Sequence, residues 1–166
     1  PICLDTQDTE EIIETVVRIA PAFGGINLED ISAPRCFEIE ERLKERLNIP
    51  VFHDDQHGTA IVVLAGLINA LKVTGKKKED CKVVVNGAGS AGIAITKLLL
   101  RYGFKHVTMC DKVGILCKGM DGLNWMQERM MDETNLEHET GSLADALKGA
   151  DVFIGVSAPG IVSKEM

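Results

Sequence analysis

Aromatic residues are scarce in this chain, 4% of the total with a single Trp and a single Tyr. A core of stacked rings is therefore excluded, and the interior has to come from Val, Ile, Leu and Ala. That composition suits helices packed on a parallel sheet. A basic stripe is also missing. The net charge is −7, and Lys76, Lys77 and Lys78 form the only cationic cluster. Nothing offsets the repulsion from nucleic acid or anionic lipid, so neither is expected as a partner. The lysine cluster reads as a solvated loop. Cys3, Cys36, Cys81, Cys110 and Cys117 contain no CxxC pair and no zinc spacing. They read as reduced thiols in a cytoplasmic protein. No apolar run reaches the roughly 18 to 20 residues that cross a bilayer, and no signal-peptide pattern opens the chain.

What is present fits one compact domain of ordinary size. The 45% hydrophobic and 26% charged residues are a normal globular balance, and 16 glycines predict many tight backbone positions. The chain opens on Pro1-Ile2-Cys3-Leu4, which reads as a strand already in progress. It stops at Met166, soon after a glycine-containing loop. Both ends predict a segment of a longer protein.

Residues 1–5 read as a short buried strand. Asp8 or Thr9 can cap a helix whose first turn carries Glu10 and Glu11, and Pro21 ends it. Ile26-Asn27-Leu28 is a short strand. Pro34 is suited to the first position of the next helix, whose apolar face is Phe37, Ile39, Leu43 and Leu47. Another strand, Ile49 to Phe52, runs into His53-Asp54-Asp55-Gln56-His57-Gly58-Thr59. From Thr59 to Leu71 almost every side chain is apolar or small. A surface helix would be polar on one side, so this one is expected to be buried at a domain junction or an assembly interface. Strands over 82–86, 106–111 and 151–155 then alternate with helices over 90–102, 124–131 and 143–147. That alternation predicts an α/β fold, a doubly wound parallel sheet.

Val83-Val84-Val85-Asn86 leads into Gly87-Ala88-Gly89-Ser90-Ala91-Gly92 and a helix. This is GxGxxG in its strand-to-helix context. Gly87 permits the tight turn, Gly89 lets a pyrophosphate approach the backbone, and Gly92 lets helix and strand pack closely. The unpaired N–H groups of the helix start would hold the pyrophosphate. The next strand ends in Asp111, about 20 residues further on, where a ribose-binding acid belongs. A carboxylate there accepts from the ribose hydroxyls and repels a 2′-phosphate, which favours NAD over NADP, although Lys112 partly offsets that repulsion. The strand Phe153-Ile154-Gly155 continues into Val156-Ser157-Ala158-Pro159-Gly160, a loop expected at the cofactor edge of the sheet.

Glu29-Asp30 follows one strand and Asp54-Asp55 follows another. Four carboxylates at element ends suit a hard cation such as Mg²⁺ or Mn²⁺, which takes oxygen ligands and relieves their mutual repulsion. Solvated turns or helix caps are the plain alternative. His53 and His57 read as hydrogen-bonding or solvent-facing residues rather than zinc ligands.

Two stretches carry a resemblance. Ile26-Asn27-Leu28-Glu29-Asp30-Ile31 resembles the malic enzyme segment that supplies a Glu-Asp pair to a metal. Residues 52–60, Phe-His-Asp-Asp-Gln-His-Gly-Thr-Ala, resemble that family's Asp-Asp motif, which a buried helix and then the Rossmann-like glycines follow. Essentially the whole chain is similar to the shorter bacterial type, including forms fused to a phosphotransacetylase-like region. The resemblance implies metal ligation by Glu29, Asp30 and Asp55, with Asp54 supporting the reacting centre. It implies cofactor contacts from Gly87, Gly89, Ser90, Ala91, Gly92, Asp111, Val156, Ser157 and Ala158. It implies residues 1–53 as the end of a substrate and metal domain, and residues 54–166 as the NAD(P)-binding domain. A homodimer or larger homo-oligomer is expected.

The implied reaction is the metal-dependent oxidative decarboxylation of malate to pyruvate with reduction of NAD or NADP. The family's general acid Tyr and general base Lys have no counterpart here. Tyr102 falls in the helix after the glycine loop and does not match that acid. Malolactic chemistry is a close rival. A nucleotide-binding module without independent catalysis is a rival of another class. An amino-acid dehydrogenase is ranked below both, because Gly24-Gly25-Ile26-Asn27 lacks the lysine that family carries after its glycine turn.

Overall fold

The computed structural model describes all 166 residues, Pro1–Met166. Helix α1 (Thr9–Ile19) starts where the Asp8 carboxylate accepts from the Glu11 amide at 3.0 Å. One 3-10 turn over Ala20–Ala22, holding Pro21, ends it. Strands β1 (Ile26–Leu28) and β2 (Val51–His53) pair in parallel, joined by helix α2 (Arg35–Arg46). Pro34 stands just outside α2, as its cap, rather than at the first helical position. Two three-residue strands bury little by themselves. They are held because Leu28 and Val51 share a core with Ile12, Ile13 and Val16 of α1 and Ile39 and Leu43 of α2.

Helix α3 (Asp54–Thr74) leads into the larger sheet. Its strands are β3 (Lys82–Asn86), β4 (His106–Asp111), β5 (Gly114–Ile115) and β6 (Val152–Gly155), in the order β5-β4-β3-β6. Both β4 and β6 pair with β3 in parallel, and β5 adds an antiparallel edge. Strand β3 is covered on both faces, which is why it reads as an unbroken Val run. Val83 and Val85 pack against α3 and against Ala94, Ile95 and Leu99 of α4 (Ser90–Tyr102). Val84 faces the other way, onto Ala146 of α6 (Leu143–Leu147). A fourth cluster joins the two halves. Cys36 and Phe37 of α2 meet Ile93, Met109, and Met126 and Met130 of α5 (Trp125–Met130). The doubly wound α/β architecture expected from the alternation is the one observed.

Four expectations need correction. Residues 1–5 form no strand, because no neighbouring strand is there to pair with, and Ile2 is 59% exposed. The helix expected from about Gly58 starts at Asp54, so both aspartates lie in its first turn. It is also long and apolar enough, by length and composition, to cross a membrane, where no such run was expected. Only one side of α3 is covered in this chain. Val63, Leu64, Leu67 and Leu71 pack on the core around β3. Val62 and Val73 are 66% and 86% exposed, so the expected burial is not reached here. The edge strand β5 was not foreseen, since two residues carry no period.

Leu99 is fully buried between α4 and the sheet. We expect Leu99→Ala to lower the unfolding free energy by about 2–5 kcal/mol, read as an earlier urea midpoint. A loss well under about 1 kcal/mol would mean that α4 is not anchored through this side chain.

Candidate functional site

In the smaller sheet Leu28 stands opposite His53. The chain therefore leaves both strands at the same end, and Glu29-Asp30 and Asp54-Asp55 emerge there side by side. Asp30 adopts the left-handed conformation, φ 56°, which an aspartate tolerates better than most residues. The Asn27 amide donates to Glu29 at 2.7 Å. Asp54 and Asp55 lie at the positive end of α3. The Asp54 carboxylate folds back over Gly58, where a Cβ would stand 2.2 Å from its Oδ1. Only a glycine leaves it that position. Behind the pair, His53 is fully buried and neither ring nitrogen has a partner.

All four carboxylates offer oxygen only, and Glu29, Asp30 and Asp54 are exposed. This donor set suits a hard divalent cation. No three acidic, His or Cys side chains converge to ligand distance, however. The fold brings the two pairs to one edge without drawing them into a finished coordination sphere.

The second feature sits where β3 ends. Gly87 has φ 112°, and its amide donates to Cys110 at 2.8 Å. A Cβ on Gly87 would meet the Val156 carbonyl at 2.8 Å, and one on Gly92 would stand 1.7 Å from the Gly87 carbonyl. Nothing lies within 4 Å of the same point on Gly89. Two glycines are thus required by the protein's own packing, and the third leaves open space. No side chain caps α4, so the amides of its first turn stay free. Chain continuity places this loop at the switch point, with β4 on one side of β3 and β6 on the other. The loop after β6 is tied in by Val156 N–H to Asn86 O, 2.9 Å, and by Asn86 Nδ2 to Ser157 Oγ, 2.8 Å.

Asp111 closes the site from β4. Its carboxylate accepts from the Ala88 amide at 3.3 Å, the Lys112 amide at 2.7 Å and Gln127 Nε2 at 3.3 Å. Gln127 also donates to the Ala88 carbonyl at 3.1 Å and completes the capping box of α5 with Asn124. One side chain thus fastens α5, the glycine loop and the acid together. Helices α3 and α4 run side by side in the same sense. Ala60 lies near Ala94 at one end of the contact, and Leu71 near Tyr102 at the other. The acidic turn that starts α3 and the glycine loop that starts α4 therefore face the same end of the sheet.

Comparison with known proteins bears on the same features. Residues 56–166 match the model for the malic enzyme NAD binding domain, and residues 5–44 match that for the malic enzyme N-terminal domain. The chain belongs to the malic enzyme family. It is 62% identical to the NAD-dependent malic enzyme of Geobacillus stearothermophilus, over 99% of this chain and 34% of that protein. It is 56% identical to the bifunctional malic/malolactic enzyme of Bacillus subtilis, over 100% of this chain and 41% of that protein. The crystal structure of the NAD-dependent malic enzyme from Thermotoga maritima superposes with a TM-score of 0.95 at 53% identity. That match covers 98% of this chain and 44% of the other. The chain thus spans less than half the length of these malic enzymes.

The residues singled out from the sequence fall into two groups at one end of the molecule. Glu29, Asp30, Asp54 and Asp55 leave the smaller sheet, and Gly87, Gly89, Ser90, Ala91, Gly92, Asp111, Val156, Ser157 and Ala158 ring the end of β3. Gln127 was missed. Its signal in the sequence is Asn124 three places before it, a capping-box spacing.

No cysteine thiol takes part in the site. Burial pushes the Cys36 and Cys110 thiols up to about 11. Folding favours their neutral form, so their contribution to stability is full below the ordinary thiol pKa and is lost as pH rises through about 11. Brief iodoacetamide treatment at mildly alkaline pH is expected to label exposed Cys3 and to spare Cys36 and Cys110, as read by peptide mass spectrometry. Equal labelling of all three would contradict their assignment as closed, neutral thiols.

Proposed function

We propose that this chain forms the cofactor-binding and metal-binding part of an enzyme that oxidises and decarboxylates malate to pyruvate, reducing NAD in preference to NADP. The carrying observation is the glycine cradle at the end of β3 with Asp111 fastened against it. Free amides at the start of α4 would hold the pyrophosphate. Gly89 leaves room for it, and Val156, Ser157 and Ala158 would line the cofactor from the end of β6. Asp111 would accept from the ribose hydroxyls and repel a 2′-phosphate, a repulsion that the neutral Gln127 beside it leaves in place and Lys112 offsets only in part. Glu29, Asp30 and Asp55 are the residues that would hold Mg²⁺ or Mn²⁺, and Asp54 would support the reacting centre. When bound, the cation supplies Lewis acidity at the substrate oxygen. No residue of this chain is assigned as general acid or base.

We read residues 1–53 as the end of the substrate domain and 54–166 as the NAD(P)-binding domain. The two family models, which leave only residues 45–55 between them, support this division. The reduced thiols favour a cytoplasmic setting, and the uncovered apolar side of α3 favours a homodimer or larger assembly. Malolactic conversion stays as a second reading, because the Bacillus subtilis relative is named for both activities.

The test is NADH formation with L-malate and Mn²⁺, with and without chelator, alongside direct NAD binding. Chelator-sensitive reduction with pyruvate release supports the reading. Lactate without net NADH would move it to malolactic chemistry. NAD binding with no turnover of any kind would reduce it to a binding module. Asp55→Ala is expected to weaken Mn²⁺ binding by about tenfold or more, a loss of at least about 1.4 kcal/mol, followed by Mn²⁺ paramagnetic resonance. Unchanged affinity would remove the metal assignment. Asp111→Ser should lower the affinity for NAD relative to NADP by about tenfold in paired titrations. A preserved ratio would mean that Asp111 does not face the ribose.

A further inference from the structure

A pocket of about 460 Å³ opens where α2, α3 and α4 meet. None of the metal or cofactor candidates lines it. Phe52, Ile61 and Leu98 form an apolar wall, and Lys97 and Arg101, one turn apart on α4, form a cationic one. These cations lack the carboxylate partners that occupy most others near them. Lys97 Nζ donates only to Met126 Sδ, at 3.2 Å, and lies 5.8 Å from the centre of the Phe37 ring. Arg101 makes no ion pair, whereas Arg42, Lys44 and Arg46 on α2 all do. Like charges at this spacing destabilise a helix, so two unpaired cations together call for a reason in a chain of net charge −7.

Burial first, and then the charge of Arg129 on α5, hold Lys97 below the ordinary lysine range. Glu41 opposes that shift, Arg101 adds to it and Glu133 opposes it weakly. Glu40, the buried acid of the pocket, is already taken by Lys44 at 2.7 Å and His57 at 2.6 Å, and Glu41, which also lines the pocket, forms an ion pair with neither Lys97 nor Arg101. Gln56 also lines the pocket. It is only 4% exposed, and its Nε2 has no partner. A buried amide donor left unpaired is costly. An oxyanion brought in from outside would give both cations a partner.

We propose that this pocket is a second ligand site for a small organic oxyanion. Its phosphate or carboxylate end is held by Lys97 and Arg101, and its apolar body lies on Phe52, Ile61 and Leu98. The volume suits a small metabolite. Because α2 belongs to the smaller sheet and α4 to the larger, an occupant clasps the two halves together. That makes it a modulator of their arrangement rather than a substrate. The site requires neither NAD nor metal to be bound.

Phenyl phosphate, benzoate and inorganic phosphate serve as probes for isothermal titration of the intact chain, each with and without NAD. The lone Trp125 is an independent reporter, since its ring packs edge-on against Phe37 at 6.1 Å, and Phe37 lines the pocket. At least one of the two aromatic anions is expected to bind with a Kd near or below about 1 mM, and more tightly than inorganic phosphate. Binding by phenyl phosphate alone identifies phosphate esters as the natural class, and binding by benzoate alone identifies carboxylates. Lys97→Met and Arg101→Gln should each weaken binding by about tenfold, while Lys97→Arg should retain it. Thermal melts confirm folding of each variant. Asp111→Ser should leave this binding unchanged, which separates the site from the cofactor assignment. The proposal is overturned if neither aromatic anion binds, if both charge-removing variants bind as well as the parent, or if NAD displaces the probe.

Discussion

The Gly87 carbonyl lies so close to Gly92 that no side chain fits between them, and this contact fixes where α4 begins. It brings the helix axis down onto the end of β3, with the amides of its first turn open. The surrounding hydrogen bonds reinforce the same point. Gly87 N–H reaches β4 through Cys110, and Val156 N–H returns from β6 to Asn86. Three strand ends are thus tied within a few residues of one another. The acid on β4 is then within reach of the Ala88 amide without any long side chain to position it. A larger residue at either glycine would lift the helix away from the strand and separate the groups that now converge.

Much of this was legible in the sequence, because the signal is local. A Val run, a glycine pattern and a helical period follow one another over residues 83–102, and each constrains the next. Asp111 was placed by its distance from the glycines and by the end of its own strand. The failures have physical causes. Asp-Asp-Gln-His-Gly reads as a turn, since charge and glycine normally interrupt helices, but here glycine makes room for Asp54 within the first turn. Residues 1–5 have the composition of a strand and no strand beside them, and pairing is not a local property. Gln127 touches Asp111 only because two loops and α5 fold back across the end of the sheet. The same holds for the unpaired Lys97 and Arg101. A sequence lists charges but does not say which of them find partners.

The two acidic pairs illustrate how a short element can matter out of proportion to its size. Strands β1 and β2 contribute three residues each, yet their parallel pairing makes two separate carboxylate pairs neighbours. The cost is like-charge repulsion at one edge of an already acidic chain. The positive end of α3 meets part of it on the Asp54-Asp55 side, while Glu29-Asp30 has only the Asn27 amide. An edge of this kind is preorganised in position and left incomplete in charge.

The seam between the halves is of another character. Where the core around β3 is packed with Val, Ile and Leu, the cluster joining α2 to α5 includes Met109, Met126, Met130 and Met131. Branched side chains fit one arrangement, whereas unbranched thioethers refit after small displacements by rotating about single bonds. The rigid glycine turn and the compliant methionine seam lie within a few residues of each other, through Ala88 and Ile93. The molecule is therefore stiff along the path that holds its strand ends and yielding across the joint between its halves. Small changes of shape at that joint can be taken up by methionine side chains, whereas the contacts of Gly87 and Gly92 leave no room for any.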